Sequence, residues 1–192
     1  MKNGEAARRA LIIAGSSGAF EALSVMLPRL QAPDDVAVIL LLHVPERGMP
    51  EGFSSFAQMS VLPVREAAER APARGGMLHL APPGYHLLVE RDGCFSYSLH
   101  VRERHVRPAA DALLGSAADC WGARLCGCIL SGANDDGAHG MLQLTARGGR
   151  GIAQSPSEAR FPSMPRAAID AGGIQRVGTV PELLQELKQW MS

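Results

Sequence analysis

Two stretches constrain this chain more than any other feature. Leu11-Ile12-Ile13-Ala14 and Val36-Ala37-Val38-Ile39-Leu40-Leu41-Leu42 are apolar without a break. A strand that is apolar at every position, rather than at alternate ones, is buried on both faces. Such strands belong to a parallel sheet with helices packed on each side. Residues 125–130 repeat the pattern, and residues 151–154 and 174–177 are shorter strand candidates. Helix-like segments alternate with these runs. Residues 20–30 place Leu23, Met26, Leu27 and Leu30 on one face, and further helices are expected over 50–60, 108–121, 136–147, 165–171 and 181–190. The fold class expected is α/β: a doubly wound, mostly parallel β-sheet with helices on both faces.

The middle of the chain differs. Residues 61–66 form a short strand candidate. Runs at 77–81, 86–90 and 95–100 are separated by Pro82-Pro83-Gly84 and Arg91-Asp92-Gly93. Asp-Gly between apolar runs signals a hairpin, so this region is expected to be an antiparallel β-hairpin insert. The 192 residues suit one domain, divided as a leader over residues 1–9 and a catalytic domain over 10–192.

Composition excludes several classes of function. Nineteen Lys and Arg balance nineteen Asp and Glu, so no basic field exists to hold a nucleic acid. With 46% apolar and 20% charged residues the chain matches an ordinary globular protein, and no run approaches the ~20 residues of a membrane span. Arg8 and Arg9 precede an apolar run too short for a secretion signal. A cytoplasmic location without membrane insertion is expected. Cys94, Cys120, Cys126 and Cys128 make no C-x-x-C pair. Cys126 and Cys128 share one face of a strand and are expected to be small buried hydrophobes.

Three polar residues share one context. Ser16 follows the first apolar run directly, His43 follows the second, and Asp136 lies a few residues beyond residues 125–130. Each therefore stands at or beyond the carboxyl end of a buried strand, where α/β sheets assemble their sites. They are also the residue types of nucleophilic acyl transfer. A serine hydroxyl needs an adjacent base, a histidine can take and return its proton, and a carboxylate fixes the imidazole and stabilises its charged form. A helix starting after Ser16 would present free N–H groups to an oxyanion, with Ser17 and Gly18 in that neighbourhood. Blander roles suit the same residues. Ser16 and Ser17 could cap a helix, His43 could be a loop histidine before Pro45, and Asp136 could cap a helix starting at Gly137. Gly15-Ser16-Ser17-Gly18 matches no phosphate-binding loop, and it is not G-x-S-x-G because Ala14 replaces the first glycine.

At this point the motifs resemble a known family. Ile13-Ala14-Gly15-Ser16-Ser17-Gly18-Ala19 is similar to the serine turn of the CheB protein-glutamate methylesterase catalytic domain. His43-Val44-Pro45 resembles its Q-H-M/L-P segment, and Leu130-Ser131-Gly132-Ala133-Asn134-Asp135-Asp136-Gly137-Ala138 its L-T-G-M-G-x-D-G-A. Weaker echoes run through Leu80-Ala81-Pro82-Pro83-Gly84-Tyr85-His86, Arg107-Pro108-Ala109-Ala110-Asp111, Ala153-Gln154 and Ser163-Met164-Pro165-Arg166-Ala167-Ala168, all in the family's order.

The resemblance implies hydrolysis of γ-glutamyl methyl esters on chemoreceptors, with release of methanol, and deamidation of receptor glutamines as a second activity. It implies Ser16 as nucleophile, His43 as base, Asp136 as orienting acid, and Ser17 as the neighbouring hydroxyl. It implies no metal or organic cofactor. The partners implied are the cytoplasmic helices of methyl-accepting chemoreceptors and a separate response-regulator chain. Typical members carry an N-terminal receiver domain, which the roughly ten residues before the first strand do not accommodate. Three positions depart from the pattern. Ala19 and Asn134 replace glycines, and Ala133 replaces a methionine, which would reshape the substrate cleft beside the acid. Two rival functions therefore stand: a lapsed, CheB-like binding module, and a hydrolase of another ester or amide.

Among neighbouring groups, Asp135 is expected to be a solvated cap, and His79, His86, His100, His105 and His139 to be surface or strand residues. Arg107 and Arg166 could face an acidic receptor helix. Met141, Leu142 and Leu144 are expected in the core.

Overall fold

A computed structural model describes residues 5–43, 52–100 and 106–192. The remainder of the expected helix at 50–60, the His43-Val44-Pro45 segment beyond His43, and His105 lie outside the described residues. The order along the chain is β1 (Arg9–Gly15), α1 (Ala19–Met26), β2 (Val36–Leu42), α2 (Gly52–Met59), β3 (Val64–Glu66), β4 (Met77–Leu80), β5 (His86–Val89), β6 (Phe95–Ser98), α3 (Ala110–Trp121), β7 (Leu125–Ile129), α4 (Ala138–Ala146), β8 (Arg150–Gln154), α5 (Ser163–Asp170), β9 (Arg176–Gly178) and α6 (Val180–Met191).

Seven strands form one sheet in the order β3-β4-β2-β1-β7-β8-β9, and every pairing in it is parallel. The uninterrupted apolar runs take its centre. Side chains alternate along β1, so Leu11 and Ile13 join one core while Ala10, Ile12 and Ala14 join the other. Residues of α1, α2 and α6 pack in the first core. Residues of α3, α4 and α5 pack in the second, together with Leu87, Val89 and Phe95 of the hairpin. Cys126 and Cys128 lie on the first face, fully buried, and burial pushes the Cys128 thiol up to about 12. They are inert packing groups, as their spacing suggested.

The antiparallel insert is smaller than the sequence implied. β5 and β6 pair antiparallel, turning at Gly93 with φ +79°. β4 instead runs parallel between β2 and β3. That interior place explains why Leu78 and His79 are both buried, although they point to opposite faces. Leu142 also departs from expectation: Met141 and Leu144 are buried, but Leu142 faces solvent at 43% exposure. At the last helix Thr179 is the cap, closed by Glu182, whose carboxylate accepts the Thr179 N–H at 2.7 Å.

The chain winds from β1 out to β2, β4 and β3, then returns to the other side of β1 as β7. The direction of winding thus reverses between β1 and β7. The cleft outside the carboxyl ends of strands at such a reversal is where α/β folds place their sites.

Candidate active site

Ser16, His43 and Asp136 all lie at that edge. Gly15 pairs with Leu42, so Ser16 and His43 are the next residues on adjacent strands, which run about 4.8 Å apart. The His43 N–H donates to the Gly15 carbonyl at 3.2 Å, which carries the pairing one step beyond the sheet. On the other flank of β1 the Ser16 N–H donates to the Ser131 carbonyl at 2.9 Å. Gly132 then lets the β7 loop approach the serine: a Cβ there would lie 3.1 Å from Ser16 Cβ and only 2.0 Å from Met164 Sδ.

Asp136 is fully buried, and its carboxylate accepts three hydrogen bonds. Oδ2 takes His43 Nε2 at 2.7 Å and the Ala110 N–H at 2.6 Å, while Oδ1 takes the Asp111 N–H at 3.0 Å. The last two donors are free N–H groups at the start of α3, where the helix dipole also favours negative charge. Burial is the largest single influence on Asp136 and pushes its pKa up. The bonds from His43, Ala110 and Asp111 together outweigh it and hold the group below its ordinary value. Asp136 is therefore charged at neutral pH, against an imidazole that is itself almost fully enclosed.

None of these side chains caps its neighbouring helix. Gly18 is the N-cap of α1 and Gly137 that of α4, and both are left-handed and without a side-chain cap bond. Gly18 has no room for anything larger: a Cβ would fall 2.6 Å from Ser131 Oγ. Ser17 is exposed, and its carbonyl accepts Ser131 Oγ–H at 2.8 Å. Among the described residues neither the Ser17 nor the Gly18 N–H meets a backbone acceptor.

Two supports escaped the sequence reading. Ser131 is wholly buried, and its hydroxyl also accepts the Phe161 N–H at 3.0 Å, so it ties the serine turn to the loop before α5. Its own N–H donates to Gln154 Oε1 at 3.0 Å, and Gln154 donates in turn to Glu158 at 2.9 Å. The second support is the start of α3, met in sequence only as Arg107-Pro108-Ala109-Ala110-Asp111, a weak echo of the family pattern with no role attached. Asp111 there also accepts the Gly140 N–H at 2.7 Å and couples α3 to α4.

Ala133 and Asp135 are exposed in the β7–α4 loop, and Asn134 is half-buried with its amide nitrogen 3.4 Å from His43 Nδ1. His139 is exposed, with Nδ1 3.4 Å from the Gln143 side-chain amide on its own helix. Arg166 is exposed on α5. Arg107 is half-buried and donates to the Leu99 carbonyl at 3.3 Å. His79 and His86 are buried strand residues, and His100 is exposed. Among the described residues no three His, Cys, Asp or Glu side chains group so as to hold a metal ion, and no helix is long and apolar enough to cross a membrane.

The chain is similar to known proteins. A family model described as CheB methylesterase matches residues 11–187. A Leptospira interrogans protein, provisionally named a protein-glutamate methylesterase/protein-glutamine glutaminase, is 33% identical over 176 residues, covering 92% of this chain and 91% of that one. A Symbiobacterium thermophilum protein named for the same two activities is 38% identical over 175 residues. That match covers 88% of this chain but 47% of the relative, so the chain spans about half that protein's length. In three dimensions the fold matches the crystal structure of the Thermotoga maritima CheB methylesterase catalytic domain with a TM-score of 0.86. That likeness covers 94% of this chain and 97% of the other at 24% identity.

Proposed function

This chain belongs to the CheB methylesterase family, a family of ester hydrolases, and from that premise we propose that it is a serine hydrolase of γ-glutamyl methyl esters on chemoreceptor helices. Deamidation of glutamines at the same positions is the companion reaction, because both replace a leaving group on a γ-carbonyl by water.

The observation that supports this most is the buried His43–Asp136 pair set on the strand next to Ser16. Asp136 engages Nε2, which leaves Nδ1 as the nitrogen that can take a proton. Ser16 Oγ attacks the ester carbonyl, its proton passes to Nδ1, and the carbonyl electron pair moves onto oxygen. The Ser17 and Gly18 N–H groups, at the start of α1 and without a backbone acceptor among the described residues, receive that charge in this reading. The intermediate collapses as the C–OCH₃ bond breaks, and methoxide leaves with the Nδ1 proton as methanol. A water molecule, deprotonated by Nδ1, then attacks the acyl-serine and releases the glutamate carboxylate. Throughout, charged Asp136 stabilises the imidazolium that forms and dissolves in each half-reaction.

Methanol release from a methylated chemoreceptor fragment, with Ser16→Ala as control, tests the proposal. Exposed Ala133 supports a second reading, an ester other than the receptor's, because a methyl group stands there in place of the methionine of the family pattern. A panel of small esters assayed beside the receptor fragment separates the two: turnover of the panel with none of the receptor favours the second.

A further inference from the structure

Asn134 touches the one nitrogen the mechanism needs free. Its amide is held at both ends. Oδ1 accepts the Asp136 N–H at 3.3 Å, and Nδ2 faces His43 Nδ1 at 3.4 Å. The first bond fixes which end of the amide is which, because a backbone N–H requires an acceptor. The end facing the imidazole is therefore the NH₂. On its other side His43 meets a charged carboxylate, which requires a donor, so the proton sits on Nε2 and Nδ1 carries the lone pair. The Asn134 N–H points at that lone pair.

Backbone geometry does not account for this residue. Arg70 is the non-glycine residue with positive φ among those described, so position 134, a glycine in the family pattern, takes no left-handed turn here. What distinguishes it is its side chain.

We propose that Asn134 is a positioning residue that caps His43 Nδ1 in the resting site, matching the Nε2–H tautomer that Asp136 sets and yielding when Ser16 hands over its proton. The inference rests on the reading of Ser16 and His43 as nucleophile and base. The contact suits a displaceable cap: 3.4 Å is the long end for a hydrogen bond. Once Nδ1 carries a proton it cannot accept, so the amide NH₂ must withdraw as the proton arrives. Asn134 therefore opposes acylation slightly, while Asp136 keeps the base in its working tautomer.

Two substitutions pull in opposite directions. Asn134→Ala removes the cap, and Ser16 should react with an alkyl fluorophosphonate roughly two- to ten-fold faster, the span of one modest hydrogen bond. Asn134→Asp keeps the shape and the acceptor for Asp136 N–H but presents an acceptor to Nδ1. It favours a proton there, so labelling should slow. Nitrogen-15 NMR of histidine-labelled protein, with the His43 signal identified by its loss in His43→Gln, gives a readout independent of reactivity. Nδ1 should be unprotonated in wild type and Asn134→Ala, and protonated in Asn134→Asp at neutral pH. Slower labelling of both variants, as a purely structural role would give, overturns the proposal, and so does a protonated Nδ1 in the wild type. Complete absence of labelling in folded wild type would instead strike at the serine-hydrolase reading, with the NMR result still deciding the role of Asn134.

Discussion

Replacing Asp136 by Asn changes one oxygen for an NH₂ and removes one charge, and its effects can be worked out bond by bond. The carboxylate faces three donors: His43 Nε2, Ala110 N–H and Asp111 N–H. An amide can serve them in two orientations. With its oxygen in the Oδ2 place it keeps His43 and Ala110 and sets an NH₂ against the Asp111 N–H. With its oxygen in the Oδ1 place it keeps Asp111, opposes the Ala110 N–H, and donates to His43 Nε2 only if the ring moves its proton to Nδ1, so either orientation leaves one buried donor facing a donor. The loss is one hydrogen bond to a charged acceptor, with a buried donor left facing a donor, which costs about 2–3 kcal/mol. For a chain of this size that lowers the melting temperature by roughly 5–10 °C. The catalytic effect is larger. His43 loses the charge that stabilises the imidazolium and, with the amide in the second orientation, its working tautomer too, and labelling and methanol release should both fall by on the order of 10²- to 10⁴-fold. Thermal unfolding and fluorophosphonate labelling on the same samples provide the assay. A variant that melts lower yet labels within ten-fold of wild type would refute the reasoning, because Asp136 would then serve only to hold α3.

Other outcomes follow from the same network. The folded-state pKa of Asp136 lies below its unfolded value of 3.8, so its stabilisation is complete above that pH and is lost as pH falls through the lower, folded value. The stability gap between wild type and Asp136→Asn, measured by urea unfolding, should therefore narrow below about pH 4. Ser131→Ala removes the hydroxyl that joins the Ser17 carbonyl to the Phe161 N–H. It should cost about 1–3 kcal/mol and lower kcat with little change in KM, since it displaces the nucleophile turn but touches no substrate. Gly18→Ala puts a methyl at φ +80° within 2.6 Å of Ser131 Oγ. Left-handed strain alone costs about 1–2 kcal/mol, and labelling of Ser16 should slow in step with the loss of stability.

How far the sequence foretold this depended on whether a feature is local. Uninterrupted apolar runs located β1, β2 and β7, because burial on both faces leaves no polar position to interrupt them. The same pattern placed Ser16 and His43 each at the carboxyl end of a buried strand, and the pairing of those strands made them neighbours. β4 was misread because a short run flanked by Pro and Gly looks alike in a hairpin and in a parallel sheet, and its neighbour β2 lies some forty residues earlier. The Asp136 acid was visible in its Asp-Gly context. Its two backbone donors were not, since they come from a helix start about 25 residues away and carry no side-chain signature. Ser131 and Gln154 were hidden for the same reason: a buried hydroxyl and a buried amide acquire their meaning only from the backbone groups the fold brings to them. Asn134 was visible as a departure from the family pattern, and it took the geometry to show what its amide faces.

The most direct test of the central claim is methanol release from a methylated chemoreceptor cytoplasmic fragment, by wild type and by Ser16→Ala with its fold verified. Release by wild type and none by Ser16→Ala is the expected result. Equal release by both would contradict Ser16 as nucleophile, and no release by a wild type that still labels with fluorophosphonate would contradict the receptor ester as substrate.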